Sequence, residues 1–333
     1  MQEVRGSSPL SPTTSSASVI PAMLKLELNG RSIEAGPGTT LSALLAASPD
    51  LLRQAVAAKL NGRVIDFLTP VQESGRIELL PLTSPEGLAV LRHSTSHLMA
   101  SAVVNLFPEA KLAIGPAIED GFYYDFEVGR AFQPEDLERI EAAMHTIAKE
   151  NHSFIRGEMP REEALRQFRA KGERFKVELI EGIPDPTVST YTHASFTDLC
   201  RGPHVPRTSL LRDFKLLTVA GAYWRGDSSR PMLQRIYGTA FASKADLEKH
   251  LHRLEEAKRR DHRRIGAQLD LYSVHEEAGG GLIFWHPHGA AMRRVIEDFW
   301  KTEHLRRGYT LVNTPHDIGE PLRPHIEQLR ETA

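Results

Sequence analysis

Two short motifs, far apart in the chain, hold the side chains best suited to chemistry. The first contains His93 and His97 in "HSTSH"; the second contains the only cysteine, Cys200, four residues before His204 in "CRGPH". On a helix, a spacing of four puts both imidazoles of the first motif on one face, about one turn apart. Gly and Pro in the second motif favour a loop. We therefore predict one site, in which a helical histidine pair faces a loop with a thiol and a third imidazole.

Two kinds of chemistry fit this set of side chains, and the spacing does not choose between them. One cysteine and three histidines can bind zinc tetrahedrally. Without a metal, imidazoles titrate near neutral pH and can relay protons between a water molecule and a leaving oxygen. Cys200 would then be either a nucleophile or a polar wall of a small pocket. A satisfied polar cluster without a catalytic role is the remaining alternative, because each motif alone is a weak signal.

The composition is that of a globular protein with several domains. The chain has 333 residues, more than one ordinary domain, and 41% of them are hydrophobic. The 41 basic and 43 acidic residues give a net charge of -2, so any nucleic-acid contact must come from local patches. A single cysteine cannot form an internal disulfide, which favours a reducing compartment and a cytoplasmic location. No apolar run approaches the roughly 20 residues of a membrane span.

The first 22 residues differ from the rest of the chain. They are rich in Ser, Thr and Pro and lack the apolar core of a signal peptide. We expect a disordered tail over residues 1–22. Patterned sequence begins at Met23, which is an alternative natural start, and a transit peptide of similar composition is the other alternative.

Residues 23–84 predict a small sheet with one helix. Asn29-Gly30 and Asn61-Gly62 each lie between alternating polar and apolar residues, which predicts two hairpins. "TTLSALLAAS" predicts a short helix that begins after Thr39 or Thr40, and "RIELLPL" predicts a closing strand. This order favours a β-grasp domain. It contains no convergent acid, base or metal cluster, so we expect a folding or docking module.

Residues 85–242 alternate irregularly between predicted strands and helices, as is typical of an α+β domain. The first helix should begin at Ser84 and Pro85. It carries an apolar stripe of Leu88, Leu91, Thr95, Leu98, Ala102 and Leu106. His93 and His97 lie off this stripe, so burial in the core does not explain them well.

The remainder of the chain predicts a connector and an incomplete domain. Residues 243–268 predict one long helix, with Ser243 and Asp246 as its capping box. The basic run "KRRDHRR" near its end could contact RNA phosphates or be a solvated helix end. Within the incomplete domain over residues 269–333, the segment over residues 281–315 predicts a loop, an amphipathic helix and a strand.

Four segments together carry a resemblance to a known family: "HSTSHLMASAV", "IGPAIEDGFYYDF", "TDLCRGPHVP" and "AGAYWRGDSSRPMLQRIYGTAF". In this order they resemble the N-terminal portion of bacterial-type threonyl-tRNA synthetase, over about residues 23–315. The resemblance implies a TGS domain for residues 23–84 and an editing (second additional) domain for residues 85–242, of the type shared with alanyl-tRNA synthetase relatives. It implies the start of a class II catalytic domain for residues 269–333.

The resemblance also implies residue roles. The catalytic residues of the editing pocket match His93, His97, Lys176, Asp198, Cys200 and His204. Among them, Lys176 is implied to lie near the scissile ester. Tyr124 and Asp125 are implied to contact the terminal adenosine or the bound amino acid. The implied reaction is the hydrolysis of seryl-tRNA for threonine, with that tRNA as the partner.

A physical reason for such a pocket is the small difference between the two amino acids. Serine lacks one methyl group of threonine, which is worth only about 1–3 kcal/mol in a binding pocket. A second pocket that excludes threonine can hydrolyse the smaller serine ester. We expect a water molecule held by the histidine cluster as the nucleophile, with Lys176 stabilising the developing oxyanion. Covalent attack by Cys200 is the less favoured alternative.

The chain departs from the family pattern after Pro315. Motifs 2 and 3 of class II synthetases, a second cysteine for the catalytic zinc and an anticodon-binding domain do not occur in the sequence. We therefore expect a truncated member, without the threonylation for which the full-length family uses ATP, magnesium and zinc. Editing itself needs no cofactor, with zinc at His93, His97, Cys200 and His204 as the alternative. The family is expected to be homodimeric, which need not hold for this chain.

Three rival functions remain open at this point. One is a free-standing trans-editing deacylase, and another is a zinc hydrolase that uses the same four ligands. The third is an inert tRNA-binding module built on the TGS domain. Hydrolysis of seryl-tRNA separates the last from the others.

Overall fold

The computed structural model describes residues 23–275 and 281–312, which divide into two compact units at His250 and Leu251. The predicted tail over residues 1–22 lies outside the described residues, as does residue 313 and everything after it. Within the described ranges, no helix has both the length and the apolar character needed to cross a bilayer.

The N-terminal sheet has five strands: β1 (Leu24–Leu28), β2 (Arg31–Ala35), β3 (Ala57–Leu60), β4 (Arg63–Ile65) and β5 (Gly75–Leu80). Their spatial order is β2-β1-β5-β3-β4, with β1 and β5 parallel. This arrangement agrees with the predicted β-grasp topology. Both predicted hairpin turns are present, and Asn29 and Asn61 adopt the left-handed backbone (φ of 51° for each) that such turns require.

Two short helices lie between the second and third strands, where one was predicted. They are α1 (Leu41–Leu44) and α2 (Pro49–Gln54). The side chain of Thr40 caps α1 by accepting a hydrogen bond from the Ala43 amide at 3.3 Å. Pro49 then begins α2, since proline suits the first helical position.

The rest of the first unit has an α+β arrangement, as predicted. Its helices are α3 (Pro85–Leu106), α4 (Pro134–Lys149), α5 (Arg161–Ala170) and α6 (Arg174–Glu181). Its strands are β6 (Lys111–Leu112), β7 (Ala117–Ile118), β8 (Gly121–Glu127), β9 (Ile155–Pro160), β10 (Thr187–His193), β11 (Phe196–Leu199), β12 (Asp213–Tyr223) and β13 (Met232–Phe241). They form one sheet in the order β12-β13-β8-β6, with β7 beside β8, and a second in the order β11-β10-β9.

Helix α3 is the central element of this region. Ser84 caps it by accepting a hydrogen bond from the Gly87 amide at 3.0 Å, and Pro85 begins it, as predicted. The residues of the predicted apolar stripe are buried or partly buried, but α3 also packs against β8, β13 and α4 and is covered on most sides. His97 is consequently only 3% exposed, although it lies off the apolar stripe. The expectation that burial in the core does not explain its position is therefore wrong.

The N-terminal sheet and α3 share one hydrophobic core. Val56, Ala57 and Leu80 of the sheet region belong to the same cluster of buried residues as Val90 and Leu91 of α3. The sheet therefore packs firmly against the helix that carries the histidine pair.

The predicted long helix over residues 243–268 is two helices, α7 (Lys244–Arg259) and α8 (His262–Gln268). Half of the predicted capping box is present: the Asp246 amide donates to Ser243 Oγ at 3.2 Å, whereas the Asp246 carboxylate accepts from the Ser243 hydroxyl at 2.6 Å rather than from its backbone amide. The break occurs because Asp261 caps a new helix, accepting a hydrogen bond from the Arg263 amide at 2.9 Å.

The later part of the second unit contains a short hairpin and one long helix. Strands β14 (Tyr272–Val274) and β15 (Ile283–Trp285) pair antiparallel, and α9 spans Pro287–Arg306. The helix predicted in this segment is present, and Gly289 is its only buried residue. The strand predicted after this helix is not present up to Val312, and the residues that follow lie outside the described part of the chain.

Candidate active site

The two motifs singled out in the sequence meet in space. The Nε2 atom of His93 lies 3.0 Å from Cys200 Sγ, and that sulfur lies 3.2 Å from Nε2 of His204. The ring of His97 is centred 4.9 Å from that of His93 and 4.5 Å from that of His204. We call these four side chains the histidine–thiol cluster. Their predicted meeting is confirmed, and their catalytic role stays a prediction.

The loop with Cys200 and His204 is held against α3 by a serine of the first motif. Ser94 Oγ lies 3.1 Å from Nδ1 of His204 and accepts a hydrogen bond from the Val205 amide at 3.0 Å. The same hydroxyl donates to the Val90 carbonyl at 2.8 Å, so its three contacts satisfy a fully buried polar group. This residue was missed, although it lies within "HSTSH".

Gly202, in the middle of the loop, allows a close approach that other residues would block. Its φ of +74° is in the left-handed region, and an added Cβ would lie 2.3 Å from the Tyr191 hydroxyl. Only glycine combines that backbone angle with so little space. The loop can therefore fold tightly over Tyr191.

A second group of polar side chains lies behind the cluster and is almost fully buried. The Lys176 ammonium forms an ion pair with Asp198 Oδ1 at 2.6 Å and donates to the Tyr124 hydroxyl at 2.9 Å. That hydroxyl donates to Asp198 Oδ2 at 2.6 Å, and the same carboxylate oxygen lies 3.6 Å from Nδ1 of His97. The three predicted residues Lys176, Asp198 and Tyr124 thus form a network that touches the cluster through His97.

Burial sets the protonation states of the cluster. Loss of hydration lowers the pKa of His93 to about 4 and the pKa values of His97 and His204 well below their usual range. Loss of hydration also raises the pKa of the Cys200 thiol to about 12. At neutral pH the imidazoles are therefore unprotonated bases and the sulfur is a thiol.

Solvent reaches the cluster on the side of His93 and Cys200, which are partly exposed, whereas His97 and His204 are buried. A groove of about 870 Å³ extends to Cys200. Four arginines line it: Arg63, Arg156, Arg201 and Arg225. A smaller apolar hollow of about 340 Å³ is lined by His93, Val64 and Pro203 among others.

The structure does not bring Asp125 to the cluster. Side chains alternate along a strand, so Asp125 and the adjacent Tyr124 point to opposite faces of β8. The Asp125 carboxylate instead pairs with the Arg235 guanidinium through contacts of 2.7 and 2.9 Å. Its predicted contact with substrate stays a prediction.

Sequence reasoning did not find three further buried polar residues near the cluster: Asp66, Tyr191 and His193. Asp66 of the N-terminal region accepts a hydrogen bond from the Tyr191 hydroxyl and another from the His204 amide at 3.3 Å. The N-terminal region, which was expected to be a folding or docking module, thus contributes one carboxylate that contacts the support of the cluster. His193 is buried beside Phe154, and its Nε2 atom has no hydrogen-bond partner among the described residues. None of the three has a motif that separates it from an ordinary surface residue.

The donor set of the cluster fits a zinc ion. The ligating atoms of His93, His97, Cys200 and His204 all lie within 4.8 Å of one another. Imidazole nitrogen and thiolate sulfur are the ligands that zinc prefers. These four side chains would hold the ion.

Comparisons with known proteins identify related chains. Residues 188–237 match the family model of the threonyl and alanyl tRNA synthetase second additional domain. The threonine–tRNA ligase of Pelobacter propionicus is 51% identical over 307 residues, which cover 91% of this chain and 48% of that protein. The threonine–tRNA ligase of Magnetococcus marinus is 55% identical over 273 residues, or 82% of this chain and 42% of that protein. The chain thus spans about half the length, or less, of the curated relatives it matches.

Proposed function

This chain corresponds to an N-terminal portion of a bacterial-type threonyl-tRNA synthetase, and we propose that it hydrolyses seryl-tRNA for threonine. The observation that carries the proposal is the partly exposed His93 imidazole at 3.0 Å from Cys200, above a buried network of Lys176 and Asp198. Neutral bases next to a fixed positive charge suit ester hydrolysis by water.

In the proposed reaction, His93 acts as the general base. Its imidazole is neutral at pH 7 because its pKa is lowered to about 4. It takes a proton from a water molecule, whose oxygen attacks the ester carbonyl carbon. When the bond between that carbon and the ribose oxygen breaks, the imidazolium returns the proton to the departing oxygen. Atoms and protons balance without a cofactor.

The buried network supports this chemistry through charge and orientation. Lys176 brings a positive charge close to imidazoles that are themselves neutral, and this charge favours the negative oxygen of the tetrahedral intermediate. Asp198 holds the ammonium at 2.6 Å and contacts His97 at 3.6 Å. We therefore assign Lys176 to electrostatic stabilisation and Asp198 to the positioning of both partners.

The arginine-lined groove is the proposed path of the single-stranded 3′ end of the tRNA. Four guanidinium groups along a groove that Cys200 also lines can contact successive phosphates of a strand. Two acids, Glu158 and Asp185, also line the groove, so its charge is positive but moderate. Such a local patch reconciles RNA binding with a whole-chain charge of -2.

A second candidate is a zinc hydrolase at the same four side chains, favoured by donor atoms within 4.8 Å of one another. A zinc ion supplies Lewis acidity and an acidic water when one coordination position stays open. With all four side chains as ligands, a tetrahedral ion would have no open position. The metal-free reaction is therefore the leading proposal.

The wider setting is proposed from the relatives. They are named threonine–tRNA ligases, and we infer that this chain serves the same tRNA, in the cytoplasm. The free thiol of its single cysteine fits a reducing compartment. ATP-dependent ligation and a homodimer are proposals for the longer proteins of the family.

The proposal is tested by mixing the purified chain separately with seryl-tRNA and threonyl-tRNA for threonine and following each ester. We expect rapid loss of the seryl ester only, and a loss of this activity by at least about 100-fold in His93→Ala. His145→Ala is the matched control, because that ring stacks on Phe214 in the same unit. Equal rates for both esters, or full activity in His93→Ala, would contradict the proposal.

A further inference from the structure

Asp66 is a buried acid that reaches out of the N-terminal sheet region. It directly follows β4, and 1% of its surface is exposed. One carboxylate oxygen, Oδ1, accepts local hydrogen bonds from the Leu68 amide at 3.0 Å and the Thr69 hydroxyl at 2.8 Å. The other, Oδ2, accepts from the Tyr191 hydroxyl and from the His204 amide at 3.3 Å.

Both groups that donate to Oδ2 lie next to the histidine–thiol cluster. The His204 amide is part of the loop from Cys200 to His204. The ring of Tyr191 is centred 4.4 Å from that of His204, and its hydroxyl occupies the space beside Gly202. A single carboxylate thus fixes the backbone of His204 and the phenol over which the loop folds.

We propose that Asp66 is a positioning residue of the hydrolytic site, which makes the N-terminal region a working part of that site rather than a separate docking module. The carboxylate anchors the loop so that Cys200 and His204 stay in register with His93. The proposal rests on the hydrolysis proposed above.

A carboxylate is required because four donors converge on it. An amide of the same shape has one oxygen and one NH₂ group. If that oxygen stays with Leu68 and Thr69, the NH₂ group faces Tyr191, whose hydroxyl can accept, and the His204 amide, which cannot. Asp66→Asn therefore removes one contact in particular, the one to the backbone amide of His204.

Two neighbours of Asp66 strengthen the argument. Arg63 of β4 lines the same groove as Cys200, and Val64 of β4 lines the same hollow as His93. The N-terminal region therefore borders both openings to the cluster as well as the loop behind it. Two effects of this region can be told apart by kinetics. Contacts with substrate at the openings affect KM, whereas anchoring of the loop affects the geometry of the reacting groups and so kcat.

The experiment compares Asp66→Asn with Glu34→Gln, which removes an exposed carboxyl of β2 in the same sheet. We expect Asp66→Asn to lower kcat for seryl-tRNA by at least about 10-fold with KM within about twofold, because small misplacements of reacting groups reduce the rate of the chemical step. Glu34→Gln should match the wild type. Tyr191→Phe, which removes another contact of Asp66, should lower kcat in the same way.

A second readout does not depend on hydrolysis. Cys200 is the only cysteine in the chain, so its alkylation by iodoacetamide reports on the loop alone. We expect faster alkylation in Asp66→Asn than in the wild type or Glu34→Gln, at a temperature at which all three proteins are fully folded. A merely structural role would lower the unfolding temperature and leave the folded-state alkylation rate unchanged.

The outcomes separate the two proposals. Wild-type hydrolysis with normal kcat and normal alkylation in Asp66→Asn would overturn the positioning role and leave the hydrolytic function standing. A wild-type chain without hydrolysis, but with faster alkylation in Asp66→Asn, would overturn the function and support the anchoring of the loop. Loss of activity accompanied by unfolding in both Asp66→Asn and Tyr191→Phe would also overturn the positioning role.

Discussion

The Nε2 atom of His93 lies 3.0 Å from the Sγ atom of Cys200, although the two residues are 107 positions apart in the chain. Both side chains are partly exposed, and the rest of the cluster lies behind them. The contact therefore marks the face at which a substrate can meet the cluster. It also makes the sulfur and the imidazole the first groups to test.

Replacing the thiol tests whether Cys200 is a covalent nucleophile. Burial raises its pKa to about 12, so it is protonated at neutral pH and a poor nucleophile. We expect Cys200→Ser to hydrolyse seryl-tRNA within about 10-fold of the wild-type rate, since the water-based reaction needs only a polar side chain there. Single-turnover hydrolysis measures this. A fully folded but inactive Cys200→Ser would favour covalent attack.

Removing the buried ammonium should destabilise the fold as well as the reaction. Lys176→Met leaves the Asp198 carboxylate buried without its ion-pair partner, which costs about 3–5 kcal/mol. In the double variant Lys176→Met/Asp198→Asn no lone charge remains, so we expect part of that loss to be recovered while hydrolysis stays impaired. Urea unfolding of the two variants checks this. Equal stabilities for the single and double variants would show that the ion pair does not act as described.

The stability of chelator-treated protein should fall as the pH is lowered from about 6.5 towards 4. The pKa values of His93 and His193 are lowered to about 4 by burial, whereas those of the unfolded chain are about 6.5. In this window the unfolded chain binds protons that the folded chain does not. The contribution of each neutral buried histidine to the free energy of unfolding is therefore fully present above pH 6.5. It falls by about 3 kcal/mol per histidine as the pH is lowered to about 4.

Urea unfolding at pH 7 and pH 5 measures this effect, above the range in which most carboxylates titrate. His193→Phe is a useful comparison, because it removes one titrating group from an aromatic environment of Phe154 and Phe196. Its stability should depend less steeply on pH than that of the wild type. Identical slopes would argue against a neutral buried His193.

Two groove arginines should affect binding of the RNA rather than the chemical step. We expect Arg63→Ala/Arg201→Ala to raise KM for seryl-tRNA by about 5-fold or more, with kcat nearly unchanged, and to reduce the dependence of binding on salt by about one phosphate contact per arginine. Arg76→Ala, an exposed arginine of β5 in the same sheet, is the matched control. A KM equal to that of the wild type at both low and high salt would show that the 3′ end of the tRNA does not lie in this groove.

Metal removal distinguishes the two candidate reactions. We expect dialysis against a chelator to leave hydrolysis of seryl-tRNA intact, and added zinc to inhibit, because four protein ligands would leave the ion no open position and would occupy the general base. Activity and bound zinc are measured on the same sample. Loss of activity on chelation, restored by zinc, would support the metal hydrolase instead.

Local structure in the N-terminal region was readable from sequence. The Asn-Gly pairs at residues 29–30 and 61–62 predict hairpins because few residues tolerate the left-handed backbone they need, and both are present. Ser84 and Ser243 predict helix starts for a similarly local reason, since a cap depends on residues within one turn. Asp261 is also a local cap, and it begins a second helix where the sequence analysis predicted one continuous helix over residues 243–268.

The burial of individual residues was not readable in the same way. An apolar stripe on α3 predicted that His97 faces away from the core, yet the helix is packed on several sides and His97 is 3% exposed. Periodicity reports which residues share a face, and not how many faces are covered. Tyr124 and Asp125 point to opposite faces of β8 because side chains alternate along a strand. The family resemblance assigned both to substrate contact without regard to the faces on which they lie.

By itself, the sequence determined which residue types are available: a histidine pair one helical turn apart, a lone cysteine four residues before a third histidine, and the family to which their motifs point. Only the tertiary structure decided that Asp66 of the N-terminal region holds the loop of Cys200 and His204. The physical reason is that spacing constrains groups within a turn or a strand, whereas contacts between distant segments depend on how whole elements pack.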